Sequence, residues 1–294
     1  GYIQHYLQKQ GFTAQSFDLN THMFNRTADP DLWRMEAYKH WTQEPEFSVT
    51  LQKLADLIDH YVAQIANHPA KILGFSLNTG SFPFARMFAK RMKDARPERP
   101  IVFGGPGVTN SLDIHMLTPD EVDYIVLGEG ERSARKLVEN LLRGRDEPLD
   151  GVIKIGTPID YENLTRPIQE DLEEIGWPTL DDFNLAEYQT DAVPILGSRG
   201  CIRRCTFCND HHIYRKYRQR APESIAEEMR WHADRGRLHF TFHDVLINGH
   251  VPTLVRLCEM LIADGRRFRW GGQGVIRKER SEEHTSELQS RQVI

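Results

Sequence analysis
The chain has 294 residues, 39% of them hydrophobic and 10% aromatic, with a formal net charge of −5. That length accommodates two domains, the composition is that of a globular chain, and the charge points away from a nucleic-acid binder. No apolar run approaches the roughly 18–20 residues that span a membrane, and no signal peptide is visible, although the chain opens on Gly1 rather than methionine.

Gly1 to Leu7 reads as part of an amphipathic helix, with Ile3, Tyr6 and Leu7 on one face. Residues 13–19 suit a short strand, and residues 20–47 are aromatic and polar without a clear period. Leu51, Leu54, Ile58, Tyr61 and Ile65 recur at helical spacing and predict a helix over 48–66. Lys71 to Leu77 is a short apolar run, read as a buried strand. A helix over 82–95 carries Phe84, Met87, Phe88 and Met92 on one side. Ile101-Val102-Phe103 and Val122 to Leu127 are two more strands, and a helix follows that ends at Gly144. Strand and helix in this rhythm predict a doubly wound parallel sheet, with ligands beyond the carboxyl ends of its strands. Three glycine-bearing turns fall at those ends: Asn78-Thr79-Gly80-Ser81, Gly104-Gly105-Pro106-Gly107 and Gly128-Glu129-Gly130-Glu131. One such turn is ordinary turn chemistry; three on one edge point to a ligand-binding edge.

Residues 148–190 hold several prolines and little period, and read as a linker after a first domain over 1–147. A second domain over 191–280 then repeats the βα rhythm. Its expected strands begin at Val193, Leu238 and Phe268, and its expected helices open at Pro222 and near Val251. Residues 281–294 are polar, lack any partner pattern, and are expected to be a non-native tail.

Cys201, Cys205 and Cys208, three of four cysteines in the chain, follow the strand at Val193. Thiolates spaced C-x3-C-x2-C converge on one metal centre more readily than they pack. Three ligands leave one iron of a 4Fe–4S cluster open, whereas a purely structural cluster takes four. Clustered cysteines of this kind imply a reducing, cytoplasmic setting. Cys258, alone on the apolar face of a helix, reads as a core residue. A zinc site of the three thiolates and His211 stands as the alternative, and would make the chain a zinc-stabilised binding module. Arg203, Arg204, Arg215, Lys216, Arg218 and Arg220 read as a solvated basic face or as contacts to cluster charge.

Cys201-x3-Cys205-Thr206-Phe207-Cys208, with Ser198-Arg199-Gly200 before it, resembles the signature of the radical S-adenosylmethionine (SAM) superfamily. The glycine turns ahead of it resemble the cobalamin-binding Rossmann-like domain of one large subgroup, here truncated at both ends. The resemblance implies an α/β fold: a Rossmann-like doubly wound sheet lacking its first strand, followed by the first half of a (β/α) partial TIM barrel. It implies a 4Fe–4S cluster on Cys201, Cys205 and Cys208, whose open iron is chelated by SAM. One electron from the cluster then cleaves SAM to methionine and a 5′-deoxyadenosyl radical, which abstracts a substrate hydrogen. Phe207, Asp244 and Arg277 are the implied SAM-side residues, and Ser81, Gly104, Gly105, Pro106, Gly128, Glu129 and Gly130 the implied cobalamin-side residues. The cobalt-ligating D-x-H-x-x-G motif of many such domains is absent, since Asp113-Ile114-His115 has Thr118 where glycine belongs. The implied activity is cobalamin-dependent methyl transfer to an unactivated centre, or alternatively a cobalamin-associated radical cyclisation or rearrangement. The implied partners are a small-molecule substrate and a one-electron reductant such as flavodoxin or ferredoxin. The half-length barrel raises the expectation that this fragment is inactive by itself. Methylthiotransferases acting on tRNA share the cysteine spacing but carry further cysteines ahead of it, and residues 1–200 hold none.

Overall fold
The computed structural model describes residues 1–109, 112–208 and 210–275. These form two compact units, one of residues 1–191 with 207–215, the other of residues 192–206 with the chain from 216 onward.

In the first unit, α1 (Tyr2–Lys9), α2 (Leu19–Arg26), α3 (Lys39–Thr42), α4 (Glu46–Lys53) and α5 (Ala55–Ala66) precede any strand. Then come β1 (Leu73–Ser76), α6 (Phe82–Ala95), β2 (Ile101–Gly104), α7 (Pro106–Thr109), β3 (Tyr124–Val126), α8 (Glu131–Leu142) and β4 (Val152–Lys154). The sheet order is β1-β2-β3-β4. The first three strands are parallel and β4 is antiparallel, so the expected parallel sheet is mixed at one edge. Phe88, Ala89 and Met92 of α6, Ile58 and Tyr61 of α5, and Ile101, Phe103 and Ile125 of the strands share one core. Burying such large apolar side chains stabilises the unit by about 1.5–3 kcal/mol each. Buried Arg99 donates to the carbonyls of Ile65, Ala66 and His68 at 2.7–2.9 Å, satisfying the C-terminal end of α5 with a positive charge.

Three expectations change. Residues 13–17 form no strand: Asp18 accepts from the Thr21 amide at 3.0 Å and starts α2 instead. The expected 48–66 helix is two helices, with Leu54 between them at φ −99°, ψ 8°. The proline-rich stretch after α8 contributes β4, which pairs residue by residue with β3. The aperiodic stretch 20–47 folds as short helical pieces, in which Trp33 stacks edge-on to Trp41, and Trp41 to Phe84 of α6.

In the second unit, β5 (Val193–Ile195) and β6 (Ser198–Arg199) lead into the cysteine stretch, of which α9 (Asp210–Ile213) groups with the first unit. Then follow β7 (Arg218–Gln219), α10 (Pro222–Ala233), β8 (His239–Phe242), α11 (Val251–Asp264) and β9 (Arg269–Gly271). Strands β5, β8 and β9 are parallel neighbours in the order β5-β8-β9, joined by α10 and α11 as in a barrel's βα repeats. Val193, Ile195, Phe240 and Phe242 are buried with Ile225 and Met229 of α10 and Leu257 and Leu261 of α11. β6 and β7 form a separate antiparallel ribbon.

Candidate functional site
The three glycine turns lie at neighbouring strand ends in the first unit. Register puts Ser76, Gly104 and Val126 side by side at the carboxyl ends of β1, β2 and β3. Close approach of backbones explains the glycines. Gly105 has φ +94°, and a Cβ there would lie 2.7 Å from the Leu77 carbonyl oxygen. At Gly107 a Cβ would lie 2.5 Å from the Asn78 carbonyl. The first two turns are therefore packed on each other, and Gly128 is packed against the Pro167 carbonyl. Ser81 is occupied locally: its hydroxyl accepts from the Asn78 amide at 3.1 Å, and its own amide donates to Asn78 Oδ1 at 2.9 Å. Glu129 accepts from the Gln169 amide at 3.0 Å. Gly104 and Gly105 are half-buried and Pro106 is exposed. A Cβ at Gly104 would meet nothing nearer than 3.6 Å, so this strand end presents small residues and backbone, a surface that fits a flat cofactor. Ile114 is in the core, and His115 sits in a single helical turn between β2 and β3, not after a first strand.

In the second unit the chain reverses from β6 through Gly200, at φ +83°, into Cys201. All four cysteines are free thiols; Cys205 is exposed and the others are half-buried. The Arg203 amide lies 3.3 Å from the Cys201 sulfur, and the Cys208 thiol lies 3.7 Å from Asp210. Three reduced thiols within a run of eight positions fit a cluster in kind and in number. Among the described residues no three His, Cys, Asp or Glu side chains already converge as a metal-ligand set. Phe207 is 90% exposed. The His211 side chain of the zinc alternative, and Arg277, lie outside the described residues. Cys258 sits on α11, where burial pushes its thiol up.

Asp244 follows β8 and is only 4% exposed. Its carboxylate accepts from the Gly197 amide at 2.8 Å and from the Ser198 hydroxyl at 2.5 Å. Burial pushes it up to about 6, opposed by those hydrogen bonds and, more weakly, by Arg220. The expected basic face is divided. Arg203, Arg204 and Arg215 are exposed, but Arg218 and Arg220 are buried, Arg220 as the partner of Glu228. Burial of these two arginines, which alternation in a two-residue strand cannot reveal, removes them from any solvated surface. Sequence reasoning named Ser198 only as a flank of the cysteine run and missed Gln219 and Thr253, whose placement depends on pairings across the chain.

Residues 42–138 match the B12 binding domain family, a span that contains all three glycine turns. The chain is 28% identical over 198 residues to an anaerobic magnesium-protoporphyrin IX monomethyl ester cyclase of Synechocystis, covering 66% of this chain and 40% of that protein. It is 29% identical over 165 residues to a methyltransferase of Pyrococcus horikoshii, covering 54% of this chain and 36% of that protein. The chain thus spans well under half the length of these curated relatives. The radical S-adenosylmethionine methyltransferase TsrM of Kitasatospora setae, solved with tryptophan substrate and a SAM analogue, superposes with a TM-score of 0.59 at 18% identity, over 92% of this chain and 51% of that one. A second TsrM structure, with cobalamin and a [4Fe-4S] cluster bound, gives the same score over 50% of its length. The α/β fold is borne out by these matches, as is the likeness to a B12 binding domain over residues 42–138, and the likeness to a radical SAM methyltransferase is one of fold.

Proposed function
We propose that this chain is the cobalamin-binding part and the cluster-bearing part of a radical SAM enzyme, acting in a reducing, cytoplasmic setting. The single observation that carries the reading is the C-x3-C-x2-C run of free thiols on the loop that follows the first barrel-type strands, in a chain whose residues 42–138 match a B12 binding domain. Cys201, Cys205 and Cys208 would hold a 4Fe–4S cluster, and with SAM bound that cluster supplies one-electron cleavage of SAM to a carbon radical. Phe207, the exposed aromatic of this loop, is a proposed SAM-side residue. On the first unit, Gly104, Gly105 and Pro106, with Ser81, Gly128, Glu129 and Gly130 on the flanking turns, would seat cobalamin against backbone. Arg277 remains a proposed SAM contact. No helix among the described residues is long and apolar enough to cross a membrane.

The favoured outcome is methyl transfer to an unactivated carbon or phosphorus of a small-molecule substrate, with an electron from a carrier of the flavodoxin or ferredoxin type. The magnesium-protoporphyrin cyclase relative supports a second reading, a radical cyclisation or rearrangement. Both readings require SAM cleavage. Anaerobically reconstituted protein should retain added cobalamin through gel filtration, and a version extended to the length of its relatives should, with dithionite, release 5′-deoxyadenosine from SAM. A methylated product then favours the first reading and an isomerised or ring-closed product the second; a chain that retains no cobalamin contradicts both.

A further inference from the structure
All three clustered cysteines lie in the stretch between β6 and β7, and the β6–β7 ribbon closes the base of that stretch. Ser198 pairs with Gln219 and Arg199 with Arg218. A two-residue ribbon is not stable alone. Something else must hold the two ends of the loop together, and the structure shows it.

The segment after β8 reaches both ends. On the incoming end, Asp244 takes the Gly197 amide at 2.8 Å and the Ser198 hydroxyl at 2.5 Å, while the Leu246 carbonyl lies 3.4 Å from the same hydroxyl. On the outgoing end, Gln219 donates to the Thr253 hydroxyl at 2.7 Å and lies 3.3 Å from His250 Nδ1. The Tyr217 ring presses so closely on Gly249 that a Cβ there would overlap it. A third fastening crosses the base itself: the Arg220 amide donates to the Gly197 carbonyl at 2.8 Å, and its guanidinium to the Leu196 carbonyl at 3.1 Å. The same segment also ties down the chain after β9, since Asn248 makes two bonds to the backbone of Val275 at 2.7 and 3.1 Å.

We propose that residues 244–253 are a platform that closes the base of the cysteine loop, with Asp244 and Gln219 as the positioning residues for its two ends. Asp244 acts on the thiols through the ribbon: Ser198 is tied down, and Cys201 follows three positions on. Its carboxylate is sealed from solvent and engaged on both oxygens by the chain's own turn. That assigns it to loop closure rather than to direct contact with SAM. The link from loop closure to cluster binding rests on the proposed function; loop closure itself does not.

Hydrogen exchange on the full chain, without added metal, tests the closure. Peptides covering 197–199 and 218–220 should be protected in the parent protein. Asp244→Ala should raise exchange there by about tenfold or more and leave β1–β3 unchanged. Ser198→Ala and Gln219→Ala should each give a smaller rise centred on its own end of the ribbon, and they decide the matter if Asp244→Ala unfolds. Unchanged exchange in all three variants overturns the platform. Anaerobic loading with iron and sulfide then reads the consequence. Asp244→Ala should retain several-fold less iron per chain, with Asp244→Asn intermediate because its carbonyl still accepts from Gly197. Full iron content with lost SAM affinity would instead make Asp244 a SAM ligand and overturn the positioning role. A parent protein that takes up zinc and no iron defeats the proposed function and leaves the exchange result to judge the platform.

Discussion
The two sets of strand ends are built in opposite ways. In the first unit the turns after β1 and β2 press backbone against backbone, with no room for a Cβ at Gly105 or Gly107, and Gly128 is packed against the Pro167 carbonyl. The cysteine stretch, whose residues 207–215 group with the first unit, is tied at its base in the second, and beyond the base Cys205 is exposed and Phe207 is 90% exposed. The first edge is shaped by folding of the chain. The second has tied ends and, between them, an exposed Cys205, the arrangement expected of a loop whose thiols turn inward on a centre they must assemble.

That contrast predicts where substitutions hurt. The largest effect should come from Gly105→Val, which adds a β-branched side chain at φ +94° against the Leu77 carbonyl. It should cost about 3 kcal/mol or more, read as a lower urea midpoint, and abolish cobalamin retention, while the thiols stay reactive. A Gly105→Val protein as stable as its parent would break the account of the tight edge.

The next effect is a pH slope in the second unit. Burial pushes Asp244 up to about 6, so between roughly pH 4 and 6 the folded chain keeps a proton that the unfolded chain has lost. Its contribution to stability therefore falls as pH rises through that window, by on the order of 3 kcal/mol, and levels off above it. The urea midpoint of the parent, relative to that of Asp244→Asn, should fall as pH rises through that window and level off above it. The same slope in both proteins would contradict the assignment. The smallest effect belongs to Cys258→Ala: a half-buried thiol on α11 outside the loop should cost about 1 kcal/mol at most and change neither iron content nor colour.

How much of this was legible in the sequence follows from length and period. The helix over 82–95 has its boundaries in the structure because a run of apolar residues at helical spacing is long enough to show one face. β1, β2, β5, β8 and β9 sit within a residue or two of where short apolar runs placed them. β6 and β7 were invisible because two residues carry no period, and β4 because it lies in a polar, proline-rich stretch that reads as a linker. The break at Leu54 was hidden because helical spacing continues on both sides of it. At the site, Cys201, Cys205 and Cys208 announced themselves by spacing. Asp244 stood out as an acid at a strand end, but its partner Ser198 is 46 positions earlier and no local pattern joins them. Arg218 and Arg220 looked like surface charge because burial of an arginine depends on Glu228 and backbone carbonyls supplied from other elements.

The central claim is that the three loop thiols hold an iron–sulfur cluster, and metal analysis after anaerobic reconstitution tests it most directly. The parent chain should turn brown, bind about four iron and four sulfide, and lose both in Cys205→Ala. A colourless protein with one zinc per chain, or an iron content indifferent to Cys205→Ala, would contradict it.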